Sequence, residues 1–469
     1  MNETDKLERG LGLIEATSLN VTFMVGIGPF VVIPLILQYV GGLQSLLAWV
    51  IGAVLALIDG CIWAELGAAM PQAGGSYVFL REAYGPGKWG RLMSFLYIWQ
   101  TLFQGPLSVA SGALGFASYS TYLTEKSRWL ARGLSPLGTH AENIVAGAVV
   151  VLAVILLYRR IATIGKISVA LCIVLVGTIL WLIYGGATHF HANLVFSSSA
   201  GSSWNFSWLL LAGLGHATVQ SVYSYLGYYN VCNLGGEMKN PARNIPRAIF
   251  ISIVGVAILY FAMQTSILGV VPWREAAKTQ AVVSLFVERV YGSGWATLAT
   301  ALILVTAFGS VFSATLGYSR IPYAAALDGN FFSVFARVHS SKRFPHVSLL
   351  ALGATAVLFC LSLTLGQVIR AILAMRCLIQ FVGQALGLLL LHKRRKTAAW
   401  PFHMWAYPVP VVIAMAGWVA IFISTGRIPV LASLAAAAAG IVVYMARARY
   451  LRQWPFQEAA YRGARMQNE

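Results

Sequence analysis

The chain is divided into about twelve long apolar runs by short charged or turn-rich stretches, each run near the roughly 20 residues that one helical bilayer crossing needs. The runs lie near 11–39, 44–70, 92–122, 143–158, 162–185, 206–233, 247–272, 292–325, 346–364, 368–391, 403–424 and 428–446. Only 10% of the 469 residues are charged and 58% are hydrophobic, against roughly 25% charged in soluble domains. So few charges could not cover a water-exposed surface of this size. Lipid is the solvent that suits the composition, and in lipid the backbone must satisfy its own hydrogen bonds. The expected fold is therefore an all-α membrane protein of about twelve transmembrane helices.

The basic residues set the expected orientation. With both termini cytoplasmic, 23 Lys and Arg fall in predicted cytoplasmic segments and 8 outside, leaving Lys166 and Arg376 within spans. That asymmetry follows the positive-inside rule, so the formal charge of +18 is a topology signal for a cytoplasmic (inner or plasma) membrane. Basic residues spread over seven short segments do not make a nucleic-acid-binding face. The run His392-Lys393-Arg394-Arg395-Lys396 marks a stop at the headgroups after the tenth span. The short charged start MNETDKLERG is read as carrying no removable signal peptide. Cys61, Cys172, Cys232, Cys360 and Cys377 all sit in apolar runs and offer neither a metal spacing nor an external disulfide framework. No metal, no cofactor and no obligate protein partner is expected.

Two spans carry interruptions. In the first, Gly26-Ile27-Gly28-Pro29-Phe30 sits near the middle; in the sixth, Ser224-Tyr225-Leu226-Gly227-Tyr228-Tyr229-Asn230 does. Pro29 removes a backbone donor, and each glycine lowers helix preference by about 1 kcal/mol. Either break alone could be a kink or a glycine-packed contact. Two of them, five spans apart, suit two five-helix units of opposite topology with a binding site at their interface. Half-helix N-termini suit a carboxylate and C-termini an ammonium group, so a zwitterionic amino acid fits both ends together. Residues 16–58 and 217–236 contain no Asp or Glu, which favours neutral over cationic ligands.

Ionisable residues within spans are costly and need a reason. Lys166 either snorkels to the cytoplasmic interface or acts as an intramembrane ammonium that replaces or titrates as a coupling cation. Asp59 makes a structural hydrogen bond or couples to protons. Arg376 pairs with a carbonyl end or with a substrate carboxylate. Glu65, nearer the cytoplasmic end, belongs to a structural network.

These residues carry a resemblance. The first break is similar to a Gly-Ser-Gly-Ile-Phe element. Ala64-Glu65-Leu66-Gly67 is followed by Pro71, Gly74-Gly75, Tyr77 and Gly85, and Tyr223-Ser224-Tyr225-Leu226-Gly227-Tyr228 is similar to Phe-Ala-Tyr-Gly-Gly-Trp. Further on come the run Gly236-Glu237-Met238-Lys239-Asn240-Pro241-Ala242-Arg243-Asn244-Ile245-Pro246, then Phe308-Gly309-Ser310-Val311 and Ser319-Arg320. Together they resemble the amino acid–polyamine–organocation (APC) superfamily, and within it the L-type amino acid transporters and their bacterial relatives. The likeness covers residues 11 to about 345, with the later spans matching in hydropathy.

The resemblance implies a LeuT-type 5+5 inverted repeat with broken helices 1 and 6. Its parts would be a cytoplasmic N-terminus (1–10), repeats at 11–185 and 206–391, accessory helices at 403–446 and a basic cytoplasmic tail (447–469). It implies that Gly26, Ile27 and Gly28 offer amides to a substrate carboxylate. Carbonyls around Tyr223, Ser224 and Leu226 would receive the amino group, with Tyr225 and Gly227 in the same element. Tyr223 falls on an aromatic gate position. Lys166 matches a lysine standing where sodium-coupled relatives bind sodium, with Ser310 or Ser313 nearby; Asp59 joins these as a coupling candidate. Ile27 stands where the family has serine and Pro29 deletes an amide, giving a poorer carboxylate cradle, while Leu226 in place of glycine shrinks or reshapes the substrate space.

The expected function is sodium-independent secondary transport of amino acids, neutral ones by preference, by proton symport or exchange. Alternatives are a polyamine or cationic amino acid transporter of the same fold, or a non-transporting sensor. An intramembrane enzyme would need motifs such as His-Glu-x-x-His or Gly-x-Ser-x-Gly, which the chain lacks. A channel would want a continuous polar stripe or a ring of charge.

Overall fold

A computed structural model describes residues 9–126, 140–196, 208–279, 281–394 and 400–456. Most of the segment 1–10, Arg395 and Lys396 of the basic stop, and residues 457–469 of the tail lie outside the described residues.

The first apolar run forms two helices, α1 (Leu13–Val25) and α2 (Gly28–Val40), bent by 40° at their junction. There follow α3 (Ser45–Ala69), the short α4 (Ser76–Tyr84), α5 (Trp89–Lys126), α6 (Ala141–Leu157) and α7 (Ile161–Thr188). The sixth run is again split, into α8 (Trp208–Tyr225) and α9 (Asn230–Asn233). Then come α10 (Pro241–Val270), the short α11 (Val282–Tyr291), α12 (Ser293–Leu327) and α13 (His346–Ser362). The tenth span comprises α14 (Leu365–Arg376), a π-helical turn at Cys377–Val382 and α15 (Gly383–Arg394), and α16 (Val409–Ser424) and α17 (Arg427–Tyr450) complete the chain. Six spans are long and apolar enough to cross a membrane, seven with the bent α1–α2 pair, and α6, α13 and α16 are shorter apolar helices. With α5 and the split α8–α9 they make the architecture of about twelve spans expected from the apolar runs. Among the described residues the only non-helical pairings are two isolated bridges, Leu11 with Met238 and Ala73 with Leu234.

Among the described residues two helices longer than a single turn or two lie outside the expected apolar runs. Within α11, Val282, Val283, Phe286 and Val287 are buried while Glu288 and Arg289 face outward. That is the one-sided spacing of a surface helix, too short to register as a span. Similarly, α4 buries Tyr77, Val78, Phe79 and Leu80 and leaves Arg81 and Glu82 at its rim. α12 packs along α5 and α10 along α3, and α1 is enclosed by α7, α10 and α12. Both breaks therefore meet at the centre of the bundle, shielded from lipid.

Candidate functional site

An unwound backbone inside a membrane protein must find partners or pay several kcal/mol per orphaned group. At the first break Gly26 adopts φ +28°, and a Cβ there would lie 2.6 Å from the Cβ and Oγ of Ser310. Both conformation and space thus demand glycine. Gly227 at the second break has φ +129°, and its Cβ would lie 3.0 Å from the Phe23 ring and 3.1 Å from the Met24 nitrogen. The two interruptions consequently touch.

Side chains from neighbouring helices take up the freed groups. Asn20 donates to the carbonyl of Tyr228 at 2.6 Å and accepts from the amide of Val231 at 3.0 Å, joining α1 to the start of α9. The Tyr260 hydroxyl reaches the carbonyls of Met24 (3.0 Å) and Ser224 (3.1 Å), so it bridges the C-terminal ends of α1 and α8. Ser310 Oγ donates to the carbonyl of Phe23 at 3.3 Å, and Thr22 and Ser313 hydroxyls are 2.5 Å apart. The carbonyl of Tyr223 is occupied by the Leu226 amide at 3.2 Å.

Between the breaks lies a cavity of about 40 Å³ whose wall includes Gly26, Ile27, Gly28, Tyr223, Ser224, Leu226 and Ser310. This space holds roughly three waters. Sequence reading missed the contribution of α5, and of α14 beyond Arg376: Ser108, Ser111 and Ile372 also line it. The small polar cluster Ser108–Ser111 just after Gly105-Pro106 is the one signal that marked α5.

Arg376 is the charged residue of this wall. It is 2% exposed and donates to the hydroxyls of Tyr229, Ser108 and Tyr318, the last at 2.5 Å. Its Nε has no partner, and among the described residues no carboxylate lies within ion-pair distance of it. Three hydroxyl dipoles, those of Tyr229, Ser108 and Tyr318, offset part of the desolvation cost of a lone buried cation. A ligand carboxylate would complete it.

The structure separates the remaining candidates. Tyr225 does not face the cavity: it is buried between α3 and α10, donating to the Trp49 carbonyl at 3.2 Å and packing on Trp49 and Tyr260. Gly227 sits beside the cavity as the point of closest approach. Lys166, expected either to snorkel or to act as an intramembrane coupling cation, is exposed, while its neighbours Ile164, Gly165 and Ser168 form the inward face of α7. It lies one and a half turns from the basic end of that helix, an exposed position from which it touches neither helix break in this structure. Ser310 and Ser313 fasten α12 to α1 beside the first break, through the Phe23 carbonyl and the Thr22 hydroxyl.

Asp59 is buried outside the cavity, accepting from the Tyr228 hydroxyl and from Trp418 Nε1 at 3.0 Å. It links the second break to the accessory helix α16. Glu65 accepts from His392 Nε2 at 2.7 Å and from the Met404 amide at 3.1 Å, the structural network expected of it.

Access is closed unequally at the two ends. On one side a vestibule of about 660 Å³, lined by Val31, Gln38, Gly115, Tyr119 and Lys278 among others, stops at Gly115. A Cβ on Gly115 would lie 2.5 Å from Ile27 Cγ2, so a wall one residue thick separates vestibule from cavity. The opposite, basic end is closed more deeply. There Arg320 makes a fully buried bidentate pair with Glu237 (2.7 and 2.8 Å). The Glu237 carbonyl accepts from the amides of Gly10 and Leu11 at 3.0 and 3.1 Å, and Arg81 pairs with Asp328 at the rim.

Comparison with known proteins fits this geometry. The chain is 27% identical over 429 residues to the serine/threonine exchanger SteT of Bacillus subtilis (strain 168), covering 88% of this chain and 90% of that protein. It is 28% identical over 383 residues to cationic amino acid transporter 4 of Homo sapiens, covering 78% of this chain and 57% of the human protein. With the aspartate-proton symporter of Bacillus subtilis (strain 168) it shares 26% over 335 residues, 66% of this chain and 58% of that one. The chain thus spans little more than half of two of these relatives and nearly the whole of the third. Residues 11–454 match the amino acid permease family, and a match across nearly the whole described bundle, with paired helix breaks around a closed central cavity, makes this chain a member of that family.

Proposed function

We propose that the chain is a secondary transporter of small amino acids that works by alternating access in a cytoplasmic membrane, with both termini cytoplasmic. The observation that carries this reading is the closed cavity where both helix breaks meet. The N-terminal end of α2 faces it from Gly28, and the C-terminal end of α8 faces it from Tyr223 and Ser224. A carboxylate is stabilised at the first and an ammonium at the second. Ile27 and Leu226 narrow the space and favour short side chains. The five-span units 11–185 and 206–391 would rock about this point, with Tyr223, whose ring lies 3.7 Å from a Cβ built on Gly28, as the gate. Transport without sodium remains the proposal. The hydroxyls of Thr22, Ser310 and Ser313 are engaged with one another and with the Phe23 carbonyl, and Lys166 takes no part.

Proteoliposome uptake of a labelled panel, covering neutral, acidic and basic amino acids with and without proton and sodium gradients, tests the reading. Saturable uptake of small amino acids independent of sodium is the expected result; binding without flux would make the protein a sensor, and strict sodium dependence would defeat the coupling proposal.

A second reading is favoured by Arg376. A guanidinium without a carboxylate, in the wall of the cavity, would select a ligand with a second acidic group, as the name of the Bacillus aspartate-proton symporter suggests for that relative. Competition of serine uptake by aspartate separates the two readings, because only the second predicts stronger inhibition by the dicarboxylate.

A further inference from the structure

We infer that the corner between α6 and α7, at the basic end of the bundle, is a binding site for the phosphate of an anionic phospholipid. A trough of about 640 Å³ opens there, lined by Tyr158, Arg159, Arg160, Thr163 and Lys342, with Val154, Ile155 and Leu350 along its apolar side. The two halves match the two halves of a lipid. Ile155 and Leu350 are 59% and 48% exposed on the surface that faces acyl chains, and the three cations stand directly beyond the last turn of α6.

The cations are placed as well as concentrated. Lys342 Nζ donates to the Tyr158 carbonyl at 2.9 Å and sits 4.7 Å from the centre of the Tyr158 ring. Those contacts hold the ammonium over the trough and leave donors for an anion. Tyr158 is itself fixed edge-on by Phe344 and His339, so the loop bearing Lys342 cannot drift from the corner bearing Arg159 and Arg160. The Thr163 side chain is exposed in the first turn of α7, where helix amides add positive potential.

Among the described residues no carboxylate pairs with Arg159, Arg160 or Lys342; Glu15 packs against Gly165, one turn further along α7. The sequence has no Asp or Glu from residue 143 to 236 or from 329 to 457, the stretches that supply every residue of the trough beyond α6. Membrane topology explains why cations lie on this side. It does not require three of them, from two loops far apart in sequence, to converge on one trough above exposed apolar side chains. Basic pockets between membrane helices recognise anionic headgroups in this way.

The test uses the full-length protein, purified in detergent and exchanged into nanodiscs of phosphatidylcholine containing a minor fraction of labelled phosphatidylglycerol. The expected result is enrichment of phosphatidylglycerol around the protein, reduced about fivefold for each cation removed in Arg159→Gln, Arg160→Gln and Lys342→Gln. The control pair Arg274→Gln and Lys278→Gln, at the other end, should leave it unchanged. Size-exclusion profiles and thermal unfolding establish that each variant is folded, and the charge-preserving Arg159→Lys should retain most of the enrichment. Equal enrichment in the three trough variants and wild type overturns the proposal. So does an equal loss in the control pair, which would mean unlocalised attraction. Displacement of the lipid by millimolar inorganic phosphate would overturn the assignment to lipid and leave a simple anion site.

Discussion

Arg376 and Lys166 pose the same question at the residue scale, and the structure answers it oppositely. Each is a cation in an otherwise apolar span, and each could be structural or functional on sequence alone. Hydropathy reports how deep a residue lies but not which way it points. A helix apolar all round has no polar stripe to reveal its inward face. Lys166 therefore looked central and is exposed, whereas Arg376 is sealed against the cavity. Arg376→Gln should raise the KM for transported amino acid by about 10–100-fold, the worth of a charge-assisted hydrogen bond, measured by uptake in proteoliposomes. Arg376→Lys should recover little, since a single ammonium cannot reach the hydroxyls of Tyr229, Ser108 and Tyr318 together. By contrast, Lys166→Ala should leave kinetics unchanged; a large loss there would return Lys166 to the coupling machinery. Tyr223 stands between these cases. Its placement on the cavity wall was legible from the helix-six element, and Tyr223→Ala should slow uptake while leaving thermal stability near wild type.

At the scale of elements, the breaks were the most readable feature because they are written in glycine and proline. Gly26, Gly28, Pro29 and Gly227 carry backbone constraints that survive any tertiary context. What holds the breaks open was less readable. Asn20 and Tyr260 are single polar residues inside apolar helices, and nothing in their own neighbourhoods says that they serve the backbone of a distant segment. The π-helical turn at Cys377–Val382 likewise contains neither Gly nor Pro, although it sits directly after Arg376, where such turns recur at functional sites. Asn20 offers the sharper test. Asn20→Ala would strand the Tyr228 carbonyl and the Val231 amide in a buried site, a loss of about 1–3 kcal/mol for each group. The apparent melting temperature in detergent should fall clearly. The isosteric Asn20→Asp should restore the bond to the Val231 amide but not the one to the Tyr228 carbonyl, giving an intermediate value. A melting temperature unchanged in Asn20→Ala would mean that water replaces the side chain.

Taken as a whole, the molecule is a bundle closed by a thin wall at the vestibule and by a thicker seal at the basic end, and the seal contains a fully buried ion pair. Glu237 and Arg320 are 0% and 1% exposed at their side chains. Breaking such a pair by removing one partner costs about 3–5 kcal/mol, whereas replacing both by uncharged groups is often neutral. That asymmetry separates stability from gating. Glu237→Gln leaves Arg320 buried without a counter-ion, a penalty relieved if the seal opens and water reaches the guanidinium. The chain carries its own reporter: Cys232 lies on α9, 2% exposed and wedged against α3, its thiol directed at the Trp63 carbonyl. In a background with the other four cysteines replaced, Glu237→Gln should raise the rate at which a water-soluble maleimide labels Cys232 and lower the melting temperature. The double variant Glu237→Gln with Arg320→Met should recover the melting temperature, because no charge is left buried. It should keep the raised labelling, because the bidentate tie between α12 and the segment after α9 is still missing. Labelling that returns to the wild-type rate along with stability would show that the pair only stabilises the fold, and that the seal is made by the backbone contacts of Gly10 and Leu11 with Glu237 instead.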